Sequence, residues 1–104
     1  MSDPCKVATI TASAGAATNG LLFPLLIHAI AVEHADGAAQ ARIDLFDAAT
    51  AAGTAIASIE LCLADGAVFE THRQVNFNPP IAVETGVSST VTNAAVTKVY
   101  YTRR

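Results

Sequence analysis

The ten residues LLIHAIAVEH (Leu25–His34) decide the fold. Read with a period of two, Leu26, His28, Ile30, Val32 and His34 fall on one face, and Leu25, Ile27, Ala29, Ala31 and Glu33 on the other. Both faces are largely apolar, the pattern of a strand buried centrally in a sandwich. Downstream, Ala35–Asp36–Gly37 is a turn, and Asp-Gly is the strongest short hairpin signal in the chain. Beyond it, Gln40, Arg42 and Asp44 alternate with Ala41, Ile43 and Leu45, which predicts a half-buried strand over Ala39–Phe46. Upstream, the Thr- and Val-rich Lys6–Ser13 suits a strand, and the small residues Ala14–Gly20 suit a loop.

The same pattern continues toward the C-terminus. Ala55–Leu63 alternates Ala57, Ile59, Leu61 and Leu63 with Ser58, Glu60 and Cys62. Asp65–Gly66 marks a second hairpin turn. In Val68–Phe77 one face is nearly all polar, carrying Glu70, His72, Gln74 and Asn76. Asn78–Pro79–Pro80 then breaks the chain, because proline donates no ladder hydrogen bond. Ile81–Val83 forms a short strand, and Val87–Val91 with Ala95–Tyr101 reads as a final hairpin. Seven or eight short strands at such spacing predict an all-β domain over residues 1–104, a β-sandwich or jelly roll, preceded by a short arm, Met1–Pro4. The competing reading is helical, since 22 of the 104 residues are Ala, the best helix former. Asp36–Gly37 and Gly53 interrupt each stretch long enough for a good helix.

Charge bounds the function. Charged residues make up 14% of the chain, against roughly 25% in an ordinary domain, and the net charge is −3. A sequence-independent nucleic-acid binder needs an excess of Lys and Arg, so nucleic acid is not an expected partner. Leu21–Val32 is the longest apolar run and falls short of the ~20 residues of a spanning helix, so neither is a membrane. With no secretion signal, Cys5 and Cys62 are expected as free thiols in a protein that stays where it is made.

The tests for chemistry return little. His28 and His34 lie six residues apart, ~20 Å along a strand, and cannot share a metal. Ser13, Ser58, Ser88 and Ser89 lack a nucleophile-elbow context. Asp44, Asp47 and Glu60 could converge as an acid–base pair but read better as solvated charges. No catalytic residue, metal site or cofactor is expected. A low-charge sandwich instead needs partners to cover its edges. The clearest apolar excess is Leu21–Leu22–Phe23, which either plugs the end of the sandwich or inserts into a neighbour. The expected contact residues are Met1, Lys6, Leu21, Leu22, Phe23, Tyr100, Tyr101, Arg103 and Arg104.

The C-terminal third carries a resemblance. The run Phe77–Val87 (FNPPIAVETGV), the Thr-rich Ser88–Ala95 and the ending Val96–Tyr101 (VTKVYY), with Asp44–Asp47 (DLFD) before Gly53–Thr54, together resemble small tailed-bacteriophage virion proteins. That resemblance implies a capsid cement or decoration protein, a β-sandwich acting as a homo-oligomer, commonly a trimer, on the major capsid protein lattice. It would be made in the host cytoplasm and sit on the capsid surface of the virion. The alternatives are a head–tail or tail subunit and, from another class, a small carbohydrate-binding module. The latter reads sugars with aromatic platforms, for which only Tyr100 and Tyr101 are available, since Trp is absent. A cupin-like enzyme would need a histidine/glutamate metal cluster, which is missing from the sequence.

Overall fold

Leu25–His34 forms the predicted central strand, with one departure that organises the whole sheet. The computed structural model describes residues 5–34, 41–61, 63–64, 67–68, 72–93 and 95–104. In chain order the strands are β1 (Lys6–Ile10), β2 (Leu25–His34), β3 (Arg42–Asp47), β4 (Ala57–Glu60), β5 (Leu63–Ala64), β6 (Ala67–Val68), β7 (His72–Val83), β8 (Val87–Thr92) and β9 (Ala95–Arg103). Seven of them make two antiparallel sheets, β1-β9-β2-β7 and β4-β3-β8, while β5 and β6 pair with each other. The fold is an all-β sandwich, with its core between the two sheets.

Strict alternation does not hold along β2. Ile27 lies opposite Tyr101 of β9, and Ala29 lies opposite Tyr100, so His28 is an extra residue. This bulge shifts the side-chain phase by one. Leu25 and Ile27 point into the core on one side of it, and Ile30 and Val32 on the other, all at most 1% exposed. The expected face of Leu26, His28, Ile30, Val32 and His34 is therefore split between the two surfaces of the sheet. On the other flank, Ile27 pairs with Ile81 and Ala29 with Asn76, so β7 holds Phe77–Pro80 opposite His28. Pro79 and Pro80 thus do not break the chain. They sit in a bulge on an edge strand, where no ladder donor is required, and β7 runs through them as one strand.

The turn signals also need correction. β2 and β3 lie in different sheets, as do β8 and β9. The Asp36–Gly37 signal lies outside the described residues. Asn93, with φ 58°, lies between β8 and β9, which do not pair as the expected hairpin. Local turn chemistry marks a reversal but does not say whether the returning strand pairs with its predecessor or faces it. Asp65–Gly66 likewise lies outside the described residues, while the flanking β5 and β6 pair, Ala64 with Ala67.

Both sheets fill the core. Ile10, Val99, Leu25, Ile27, Ile30, Val32 and Val83 come from the four-stranded sheet, and Ile43, Leu45, Ile59 and Val87 from the other. Connections contribute Leu21, Ala41 and Leu61. The free edge of β8 is covered by the segment after β1. Ala14 and Ser89 exchange backbone hydrogen bonds of 3.0 and 2.9 Å, and the Val87 N–H donates to the Leu21 carbonyl at 3.1 Å. Covering an edge in this way removes a template for indiscriminate strand addition.

Candidate functional site

Three stretches far apart in sequence meet at one end of the sandwich. Lys6 of β1 pairs with Tyr101 of β9. Phe23 packs against Tyr101 with ring centroids 5.8 Å apart. The Arg103 guanidinium lies over the Phe23 ring, 3.9 Å from its centroid, an arrangement that favours a cation electrostatically. The Arg104 N–H donates to the Pro24 carbonyl, closing the chain end onto the start of β2. The Arg104 side chain pairs with Glu84 at 3.5 Å, with both groups exposed, so the pair adds little stability.

The apolar triplet divides. Leu22 is 51% exposed at this end, and Phe23 is half-buried. Leu21, expected among the contact residues, is fully buried and plugs the core. The reason lies in the preceding loop, which is fastened rather than free. Asn19 donates through Nδ2 to the Val87 carbonyl at 3.0 Å and to Ser89 Oγ at 3.2 Å, and the Leu21 N–H donates to Ala16 at 2.9 Å. The sequence offered no signal for Asn19, whose partners lie some 70 residues away. Met1 lies outside the described residues.

Tyr100 belongs elsewhere. It points to the outer surface of the four-stranded sheet, away from Tyr101. Across that surface the pairing sets up rows, Tyr100–Ala29–Asn76, Lys98–Ala31–Gln74 and Val96–Glu33–His72. Two small residues on the central strand stand between longer side chains on both neighbours. The result is a groove of about 400 Å³ whose lining includes Ala31, Glu33, His72, Gln74, Lys98 and Tyr100. Of the polar face expected for Val68–Phe77, His72 and Gln74 on β7 supply one wall of it; Val68 belongs to β6, and residues 69–71 lie outside the described residues.

The outer surface of the three-stranded sheet holds the carboxylates considered for acid–base work. Asp44 accepts from Arg42 Nε at 3.0 Å, from Ser58 Oγ, and from Thr90 Oγ1 at 3.4 Å. Arg42 also donates to Glu60 at 3.2 Å, so a guanidinium separates the two carboxylates. Burial alone would raise the Asp44 pKa, but the hydrogen bonds from Arg42 and Ser58 outweigh it and hold the carboxyl below its ordinary range. Asp47 is turned away to the β7–β8 connection. There it accepts from the backbone N–H groups of Thr85 at 2.9 Å, Glu84 at 3.1 Å and Gly86 at 3.4 Å. Burial again pushes upward, and the donors, Thr85 foremost, bring the net shift below the ordinary value. Both aspartates are held as anions, the opposite of what a proton donor near neutral pH requires.

Among the described residues no group of three His, Cys, Asp or Glu side chains is placed to hold a metal ion. His28, in the bulge, hydrogen-bonds Thr102 Oγ1 through Nε2 at 2.8 Å. Cys5 is exposed and free, and Cys62 lies outside the described residues. Set against known protein families, curated proteins and solved structures, the chain matches none.

Proposed function

We propose that this protein is a structural subunit of a bacteriophage virion, a capsid cement or decoration protein that acts by docking on copies of itself and on a larger protein shell. One observation carries the reading: the start of β1, the loop before β2 and the end of β9 come together as one patch. Leu22 and Phe23 give it an apolar centre, and Lys6 and Arg103 give it a cationic rim beside the Arg104–Glu84 pair. Aromatic residues and arginine around an apolar centre are the composition enriched in protein interfaces. The partner that fits is a protein surface with an apolar recess bordered by carboxylates. Repetition over a symmetric lattice multiplies a modest contact into firm attachment.

The test mixes the protein with expanded empty capsids and measures bound copies. Saturation at a fixed number per capsomer, weakened at least tenfold by Leu22→Asp with Arg103→Glu, is the expected result. Incorporation only at the portal or tail moves the role to a head–tail or tail subunit. A protein that stays a single chain in light scattering and ignores every part of the virion overturns the proposal.

A further inference from the structure

The groove lies on the outer surface of the four-stranded sheet, the surface away from Tyr101 and the end patch, and the docking reading leaves it unused. Its floor is the central strand β2, whose backbone is already paired on both sides, with β7 and with β9. An extended peptide that binds by adding a strand requires an open edge, so a ligand here is recognised by side chains. One wall offers the half-buried ring of Tyr100, beside Lys98. The other offers Gln74, whose Nε2 donates to Asn76 Oδ1 at 3.1 Å. That bond orients the Gln74 amide and leaves its oxygen to accept. Glu33 and His72 stand opposite one another at one end.

This combination has a specific chemical complement. A pyranose ring presents an apolar C–H face, which stacks on an aromatic ring, and adjacent hydroxyls that each donate and accept. The small side chain of Ala31 at the floor gives depth without the broad apolar lining a lipid chain needs. A volume of about 400 Å³ falls within the range of small-ligand sites, roughly 300–1,000 Å³, and holds one or two sugar rings. We propose that the groove between β9 and β7 over Ala31 is a binding site for a mono- or disaccharide, with Tyr100 as stacking platform and Gln74 as a hydroxyl-reading group.

The experiment is a titration of the ¹⁵N-labelled full chain with glucose, galactose, N-acetylglucosamine and their β-1,4-linked disaccharides, followed by amide chemical shifts. The expected result is saturable shifts confined to Ala31, Glu33, His72, Gln74, Lys98 and Tyr100 and their chain neighbours, with a millimolar or tighter Kd, about −4 kcal/mol or better. Tyr100→Ala and, independently, Ala31→Leu, which fills the floor, each weaken binding at least tenfold while thermal melting stays cooperative. Capsid binding by these variants is unchanged, so this proposal and the docking proposal fail separately. No shift with any of these sugars up to ~50 mM, shifts located at another surface, or saturable groove binding by a short peptide instead of the sugars overturns the inference.

Discussion

Leu21 and Leu22 are adjacent in the chain and opposite in surroundings, and truncating each to alanine tests the account of the loop that precedes β2. Leu21 is fully buried, while Leu22 is 51% exposed. Leucine to alanine removes three carbons, so the lost transfer free energy at position 21 is about 2.4 kcal/mol at ~0.8 kcal/mol per buried CH₂. The cavity left behind raises the total to ~3–5 kcal/mol. Collapse of that cavity is restricted, because the Leu21 backbone is tied to Ala16 and to Val87. Against a total stability on the order of 5–15 kcal/mol for a domain of this size, that is a large share. Leu22→Ala changes stability by no more than ~0.5 kcal/mol. Urea unfolding followed by far-ultraviolet circular dichroism separates them. With a slope of about 1.5 kcal/mol/M, Leu21→Ala lowers the midpoint by ~2 M, and Leu22→Ala by less than ~0.4 M. A loss below ~1 kcal/mol for Leu21→Ala, or equal losses for both, would falsify the assignment of Leu21 to the core.

Three further outcomes follow from the packing. Thr97 is fully buried and its hydroxyl meets no hydrogen-bonding group among the described residues, so Thr97→Val raises stability by ~1–2 kcal/mol and the melting temperature by several degrees; a lower melting temperature contradicts this. At Gly86 a Cβ would lie 2.7 Å from the Leu21 carbonyl oxygen and 3.0 Å from Ala16 Cβ, so Gly86→Ala costs ~1–3 kcal/mol in chemical denaturation, and a neutral outcome means the segment over β8 yields freely. Asp47 has its folded-state pKa below the unfolded value, so its contribution is present above about pH 4 and fades as pH falls through the lower, folded value. Asp47→Ala therefore flattens the fall in stability between neutral pH and acid, and an acid-unfolding curve parallel to that of the parent protein rules the linkage out.

The fold class was legible because alternation and turn residues act locally, and β2, from Leu25 to His34, has the predicted bounds. What the sequence could not display was pairing. His28 looks like any other position in an apolar alternation, and only its neighbours on β7 and β9 reveal that it is surplus. Pro79–Pro80 carries a correct local message, no ladder donor, yet its consequence depends on β7 being at an edge. The end patch was visible as three separate fragments, Lys6, Leu22–Phe23 and Tyr101–Arg104, but their convergence follows from the β1–β9 and β2–β9 registers. Tyr100 and Tyr101 appeared equivalent as adjacent aromatics, and strand geometry sends them to opposite surfaces. The groove left a faint mark, the small Ala31 on a strand of mostly bulky residues, which becomes a recess only when β2 is set between β7 and β9.

The extra residue in β2 also divides the work of the sheet. Below it, one parity of positions is reserved for the interior; above it, the other parity is. Because the switch is absorbed at a single point, the stretch carrying the chain-end contacts and the stretch flooring the groove are written in separate frames. Evolution can therefore rewrite the solvent-facing letters of either frame without disturbing the other, so that one narrow slab can present two chemically unrelated surfaces at its two ends.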